Sequence, residues 1–185
     1  MKRRMALAVP LLISALKATA DSNNATEIQA LLQAGACVFL MRHAETDSGI
    51  GDPPNFLLGD CRTQRNLNQA GREQSHRLGQ WFKTRQLRAR AIQSSAWCRC
   101  RDTANLAFGT HTVLSALNST FNSTHLPDPL TQSLRLRLKA VPVGEFEVWV
   151  THQVNITALT GEFTAMGEAL IVDAKGAVLA RTTLF

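Results

Sequence analysis

Two histidines and two arginines stand in this sequence where strand ends could present them together. Leu40-Met41-Arg42-His43-Ala44-Glu45-Thr46 closes an apolar run from Ala36 to Met41 that reads as a buried strand. Phe146-Glu147-Val148-Trp149-Val150-Thr151-His152 is a second strand that ends on a histidine. Ala89 to Gln93 is a shorter strand, followed by Ser94-Ser95-Ala96-Trp97-Cys98-Arg99-Cys100-Arg101-Asp102-Thr103-Ala104. There a strand runs into a helix start, and Arg99 projects from the first turn. Arg101 lies half a turn round and should face away. Open α/β sheets bind ligands at the carboxyl ends of their strands. Cations and imidazoles delivered to that edge suit a tetrahedral oxyanion. Arg42 and Arg99 supply planar donor forks, and His152, if protonated, adds another charged donor. For His43 to attack such an anion it must be unprotonated at one ring nitrogen, with the other held by a hydrogen bond.

These stretches resemble the signatures of the histidine phosphatase superfamily, in its phosphoglycerate-mutase-like branch 1. Arg42-His43-Ala44-Glu45 is similar to the first histidine motif. Asn66-Leu67-Asn68-Gln69-Ala70-Gly71-Arg72-Glu73-Gln74 resembles the Leu-Thr/Ser-x-x-Gly-x-x-Gln helix start. Ser95, Arg99, Thr103 and Ala104 match Ser-x-x-x-Arg-x-x-x-Thr-Ala, and Thr151-His152 looks like the second histidine. The resemblance implies in-line attack of His43 on phosphorus, a phosphohistidine intermediate and its hydrolysis by water. Phosphate would be held by Arg42, Arg99 and His152. It implies no metal and no cofactor.

The same comparison leaves the proton donor open. Thr46 stands where the family often has a phosphate-contacting hydroxyl, but Gly49 stands where it often has Asn. Glu45 reads as a loop anchor beside the nucleophile. Arg62 and Arg65 could face an anionic substrate, though exposed arginines more often do nothing specific. The Gly-x-Trp-Glu-Gly segment that carries the acid in mutases is missing. Asp47, Asp52, Asp60 and Asp128 are the candidates, or there is no strong acid at all. Lacking one argues against a mutase and suits a good leaving group. The rival reading is a non-catalytic phosphate- or phosphosugar-binding protein that keeps the pocket.

The elements that must position these groups can be read around them. A short helix covers Asp21 to Gln33, closed by Gly35. Thr46 to Thr63 is a long loop broken by Gly49, Gly51, Pro53, Pro54 and Gly59, and it leaves directly from the His43 strand end. Leu67 to Arg85 is an amphipathic helix with Asn68 as its cap. Leu126 to Leu138 gives a packing helix with Arg135, Arg137 and Lys139 in solvent. Gly167 to Val172 and Ala177 to Arg181 form a closing hairpin. The expected fold is α/β, a three-layer α/β/α sandwich around a mostly parallel mixed sheet, phosphoglycerate-mutase-like.

Residues 1–20 carry a basic start at Lys2, Arg3 and Arg4, an apolar stretch and a small-x-small end at Ala18-Thr19-Ala20. That is the layout of a secretory signal peptide. It leaves 21–185 as one domain, periplasmic or secreted, with no stable membrane anchor after cleavage. Of the chain's 20 Lys and Arg, four lie in that leader and none of the 14 Asp and Glu do, so the remainder exceeds neutrality by only two charges. The high pI of about 9.7 therefore gives little support for nucleic acid as a partner. A small phosphorylated substrate is the expected partner, an envelope sugar phosphate among the candidates. Export favours disulfides. Cys61 would bridge to Cys98 or Cys100, and Cys37 reads as buried in its strand. Zinc is not favoured, because Cys98-Arg99-Cys100 lacks C-x-x-C spacing. The sequons at Asn24, Asn118, Asn122 and Asn155 read as chance.

Overall fold

A computed structural model describes residues 24–121 and 129–183. The expected leader, Asn122 and Asp128 lie outside the described residues. Helix α1 spans 24–34, and β1, Cys37–Arg42, follows it after Gly35 and Ala36, both at positive φ. The chain continues through α2 (Gln69–Thr84), β2 (Ala91–Ser94), α3 (Cys98–Phe108) and β3 (Thr112–Val113). Next come α4 (Pro129–Lys139), β4 (Phe146–Thr151), α5 (Gln153–Thr160), β5 (Ala169–Asp173) and β6 (Val178–Thr182). Short 3-10 turns at Cys61–Thr63 and Ser115–Leu117 interrupt the long connections.

The six strands form one sheet in the order β3-β2-β4-β1-β5-β6. β3, β2, β4 and β1 pair in parallel, and β5 is antiparallel to both its neighbours, β1 and β6. β1 is central because its residues suit burial on both faces, which makes it read as a continuous apolar run rather than an alternating one. Cys37, Phe39 and Met41 pack with Ile28 and Leu32 of α1, Leu78, Trp81 and Phe82 of α2, and Ala104 of α3. Val38 and Leu40 pack the other way, with Leu134 and Leu138 of α4 and Ile156 and Leu159 of α5. The result is three layers, helix over sheet over helix. Phe39 and Phe82 meet edge to face at 5.2 Å, which fixes α2 over β1.

Expected bounds shift slightly. The helix expected from Leu126 starts, in the described residues, with Pro129 as its first residue, where a missing N–H costs nothing. Arg135 of that helix is exposed but not merely solvated, because its Nη2 donates to the Ala158 carbonyl at 2.7 Å. The buried Asn155 side chain donates to the Asn118 carbonyl, which removes it as a glycosylation acceptor. No helix of the described residues is long and apolar enough to cross a membrane.

The start of α2 locks the strand exit. Asn68 caps the helix by accepting the Gly71 N–H at 2.8 Å, and its own N–H donates to the Glu45 carbonyl. Gln74 Oε1 accepts the Glu45 N–H. Gly71 lies directly on the Glu45 backbone, so an added methyl would run into the Glu45 carbonyl and nitrogen. Gly71→Ala should therefore destabilise the fold by about 1–3 kcal/mol. Glu45 is two residues from His43, so kcat/KM should fall with it. Thermal unfolding and steady-state kinetics on the purified variant check both.

Candidate active site

Register makes the site. Arg42 at the end of β1 pairs with Thr151 at the end of β4, and Ser94 at the end of β2 pairs with Val150. The next residues, His43, His152 and Ser95, therefore leave one sheet edge side by side. The His43 N–H donates to the Thr151 carbonyl and the Ser95 N–H to the Val150 carbonyl, carrying the parallel ladder one step past the strands. Thr103 then ties α3 to this edge. Its hydroxyl accepts the Ala44 N–H at 3.0 Å and donates to the Arg99 carbonyl at 2.7 Å. The Arg-x-x-x-Thr-Ala spacing is the spacing of one helical turn between those two bonds.

The four expected residues come together. Arg42, His43, Arg99 and His152 line one cavity of about 780 Å³. The two imidazole rings lie 5.7 Å apart, centre to centre. Arg99 Nη2 is 3.5 Å from His152 Nδ1. Arg42 reaches the cavity with its Nη1 donating to the Thr164 carbonyl. Arg101 does not line the cavity.

Ring protonation follows from the partners. His43 Nδ1 is 2.9 Å from the Ala44 carbonyl, which can only accept. Nδ1 therefore carries the proton, and Nε2 holds the free lone pair. Burial, opposed only by that carbonyl bond and reinforced by Arg99, Arg42 and Arg65, pushes the His43 pKa down to about 3. His152 is held between Ser95 Oγ, 2.8 Å from Nε2, and Arg99, whose Nη2 can only donate toward Nδ1. Its proton is thus on Nε2. Burial first, then Arg99, His43 and the other two arginines, lower its pKa well below the usual value. The condition on which His152 would add a charged donor is not met by the cup by itself, whose own groups disfavour the protonated ring.

Three further groups at the cup were left among alternatives, or missed, by sequence reasoning. Arg65 joins Arg42 and Arg99 as a third cationic lining residue, whereas Arg62 is exposed and paired with Asp60 at 2.7 Å. Asp52 lines the cavity, with Oδ1 accepting from Arg99 Nη1 at 2.8 Å and from the Arg65 N–H at 3.0 Å. Asp47 and Asp60 do not line it. Asn118 takes the Ala96 N–H and the Ser95 hydroxyl on one oxygen and so sets the partner of His152. The signal for Arg65 was its place two residues before the Leu67 helix start. Asn118 carried none.

Two groups that could meet phosphate are already engaged. The Thr46 hydroxyl donates to Met166 Sδ at 3.3 Å instead of entering the cup. The Cys98 N–H at the start of α3 is taken by Gln64 Oε1 at 2.9 Å. Glu45 is a loop anchor, as expected, with Oε1 accepting from Asn68.

The long loop is fastened rather than free. Cys61 is disulfide-bonded to Cys98, immediately before Arg99. Cys37 and Cys100 are buried free thiols, and burial pushes Cys100 up to about 12. A thiol held protonated is a poor nucleophile. Among the described residues no three His, Cys, Asp or Glu side chains gather as a metal ion would need.

Comparison with known proteins agrees with this geometry. Residues 38–121 match the model of the histidine phosphatase superfamily (branch 1). The structure of the protein histidine phosphatase SixA complexed with tungstate is similar over 80% of this chain and 97% of that one. The identity is 16% and the TM-score 0.53. A phosphoglycerate mutase from Thermus thermophilus is similar over 80% and 99%, with 22% identity and a TM-score of 0.51. At such identities these likenesses speak for the fold. No curated protein sequence matches the chain. The part of the chain similar to the histidine phosphatase superfamily (branch 1) spans the first histidine, the second arginine and the helices that place them, and the fold as a whole is phosphoglycerate-mutase-like.

Proposed function

We propose that this protein is an exported phosphatase that hydrolyses a phosphomonoester through a phosphohistidine on His43. One observation carries the reading: His43 presents an unprotonated Nε2 in a cavity ringed by Arg42, Arg65 and Arg99. An imidazole kept neutral among three guanidinium groups is a nucleophile rather than a cationic anion-binder. The guanidinium groups grip the non-bridging oxygens, Nε2 attacks phosphorus in line, and the leaving group departs opposite. Water then cleaves the P–N bond. Covalent catalysis splits one hard step into two, and charge neutralisation lowers both barriers. Arg42, Arg65 and Arg99 supply that charge without a metal. When a dianion enters, His152 gains a reason to protonate and then adds a charged donor. The Cys61–Cys98 disulfide supports an oxidising compartment, periplasmic or secreted. An envelope sugar phosphate and a phosphohistidine protein are both candidate substrates. That the SixA structure is of a protein histidine phosphatase adds weight to the second.

The test is a turnover screen of the wild-type protein, paired with calorimetric titration of inorganic phosphate. The panel holds 4-nitrophenyl phosphate, envelope sugar phosphates, nucleotides and phosphohistidine peptides. Turnover of at least one with phosphate as product is expected. Phosphate binding with no turnover anywhere would assign the pocket to a non-catalytic binding protein.

A further inference from the structure

We infer that Asp52 is the proton donor to the leaving group, using a proton that the phosphomonoester itself brings in. The inference rests on the phosphatase reading above. Asp52 is the one carboxylate among the described residues that lines the cavity. It reaches there because Arg65 and Arg99, from either side, fix its Oδ1. Its Oδ2 has no hydrogen-bond partner among the described residues, so one carboxylate oxygen is anchored and the other is available. The side chain is mostly buried, at 16% exposure. The carboxyl sits beside the groups that would hold phosphate.

Beside these arginines Asp52 is ionised. Burial works to raise its pKa, but the Arg99 bond, the Arg65 N–H and the charges of both arginines overcome it. An ionised carboxylate cannot donate a proton, and this is where substrate matters. A phosphate placed on Arg99 stands next to Asp52, and two like charges that close cannot both persist. Of the other facing groups, Arg42 and Arg65 are shared with the phosphate, His43 is neutral, and His152, which lies at Arg99 Nη2 while Asp52 lies at Nη1, gains its proton against the phosphate rather than against Asp52. A phosphomonoester monoanion carries one proton on a non-bridging oxygen. That proton passes to Asp52 Oδ2, leaving the ester as the dianion. His43 Nε2 then forms its bond to phosphorus while the P–O ester bond breaks. The departing oxygen takes the electron pair and the Asp52 proton, leaving as the neutral alcohol. Asp52 is again a carboxylate, and the water that then cleaves the P–N bond keeps both its protons in the product, which leaves as dihydrogen phosphate. Each proton and electron pair is accounted for within substrate, His43, Asp52 and water.

The dependence on leaving group separates this role from a structural one. Asp52→Asn keeps an oxygen for Arg99 and for the Arg65 N–H but cannot carry the proton. With glycerol phosphate, whose alkoxide is a poor leaving group, kcat should fall about a hundredfold or more. With 4-nitrophenyl phosphate, whose phenolate leaves unassisted, kcat should stay within about fivefold of wild type. Equal losses on both substrates would make Asp52 a mere clamp on Arg99 and overturn the inference, as would unchanged rates on both. If Asp52→Asn does not fold, the same pair of rates in Asp52→Ser decides by the same criterion. If the wild-type protein turns over neither substrate nor any other in the screen, the phosphatase reading fails and the proton-donor role falls with it.

Discussion

His43→Ala is expected to lower kcat on 4-nitrophenyl phosphate by a hundredfold or more, with the fold and phosphate binding retained. On the proposed mechanism the size follows from losing the nucleophile and with it the covalent route. Retention follows from the structure. The ring gives up one hydrogen bond, to the adjacent Ala44 carbonyl, while Arg42 and Arg99 keep their own anchors on backbone carbonyls. A neutral imidazole contributes little to the grip on an anion, so the dissociation constant for inorganic phosphate should move by less than about tenfold. Rapid acid or alkaline quench with radiolabelled substrate adds an independent readout. Wild type should trap a phosphoprotein that is labile in acid and stable in base, and His43→Ala should trap none. Equal rates in the two proteins would remove His43 as the nucleophile, whatever the fold.

How this site was legible depends on the range of the contacts that build it. His43, Arg42 and His152 could be found because each ends a run that is buried on both faces of the sheet. Such runs read as strands without knowledge of their neighbours. Arg99 could be found because the turn that presents it is local, and Thr103 four residues later answers to the same helix. Asp52 could only be one of four candidates. Its place is set by Arg65, thirteen residues on, and by Arg99, forty-seven residues on, across a loop with no periodicity. The disulfide between Cys61 and Cys98 holds the same two segments together, and Cys100 could have competed for it on sequence alone. Asn118 lies in a stretch without a pattern and acts through a single oxygen. The charge state of His152 stayed conditional in the sequence for a related reason. A histidine near a phosphate site is expected to be charged, but protonation depends on burial and on three arginines that come from separate segments.

Acid should unfold this protein earlier than its size suggests, and the two site histidines set the window. Both are neutral when folded, with pKa values lowered from the ordinary 6.5, that of His43 to about 3. Above pH 7 neither state holds an extra proton, and the shifts cost nothing. As pH falls below about 6.5 the unfolded imidazoles take up protons that the folded ones refuse. The unfolded state then binds more protons, so stability drops with falling pH, down to the folded pKa. For His43 alone the loss is about 2 kcal/mol at pH 5, and His152 adds to it with the same sign. Asp52, whose pKa is lowered in the fold, extends the loss only below the usual carboxylate range. Urea unfolding at pH 7 and pH 5 measures the slope. His43→Asn should remove about 2 kcal/mol of the difference, and an unchanged slope would show that His43 is not held neutral. Saturating phosphate should flatten the slope further, because a dianion in the cup favours the protonated form of His152. The same depressed pKa bears on catalysis. A nucleophile neutral down to about pH 3 cannot produce an acid limb in kcat/KM near the ordinary histidine pKa of 6.5. The substrate's own second ionisation falls in the same range but gives the opposite limb, a loss of kcat/KM as pH rises, because the monoanion brings the proton that Asp52 uses.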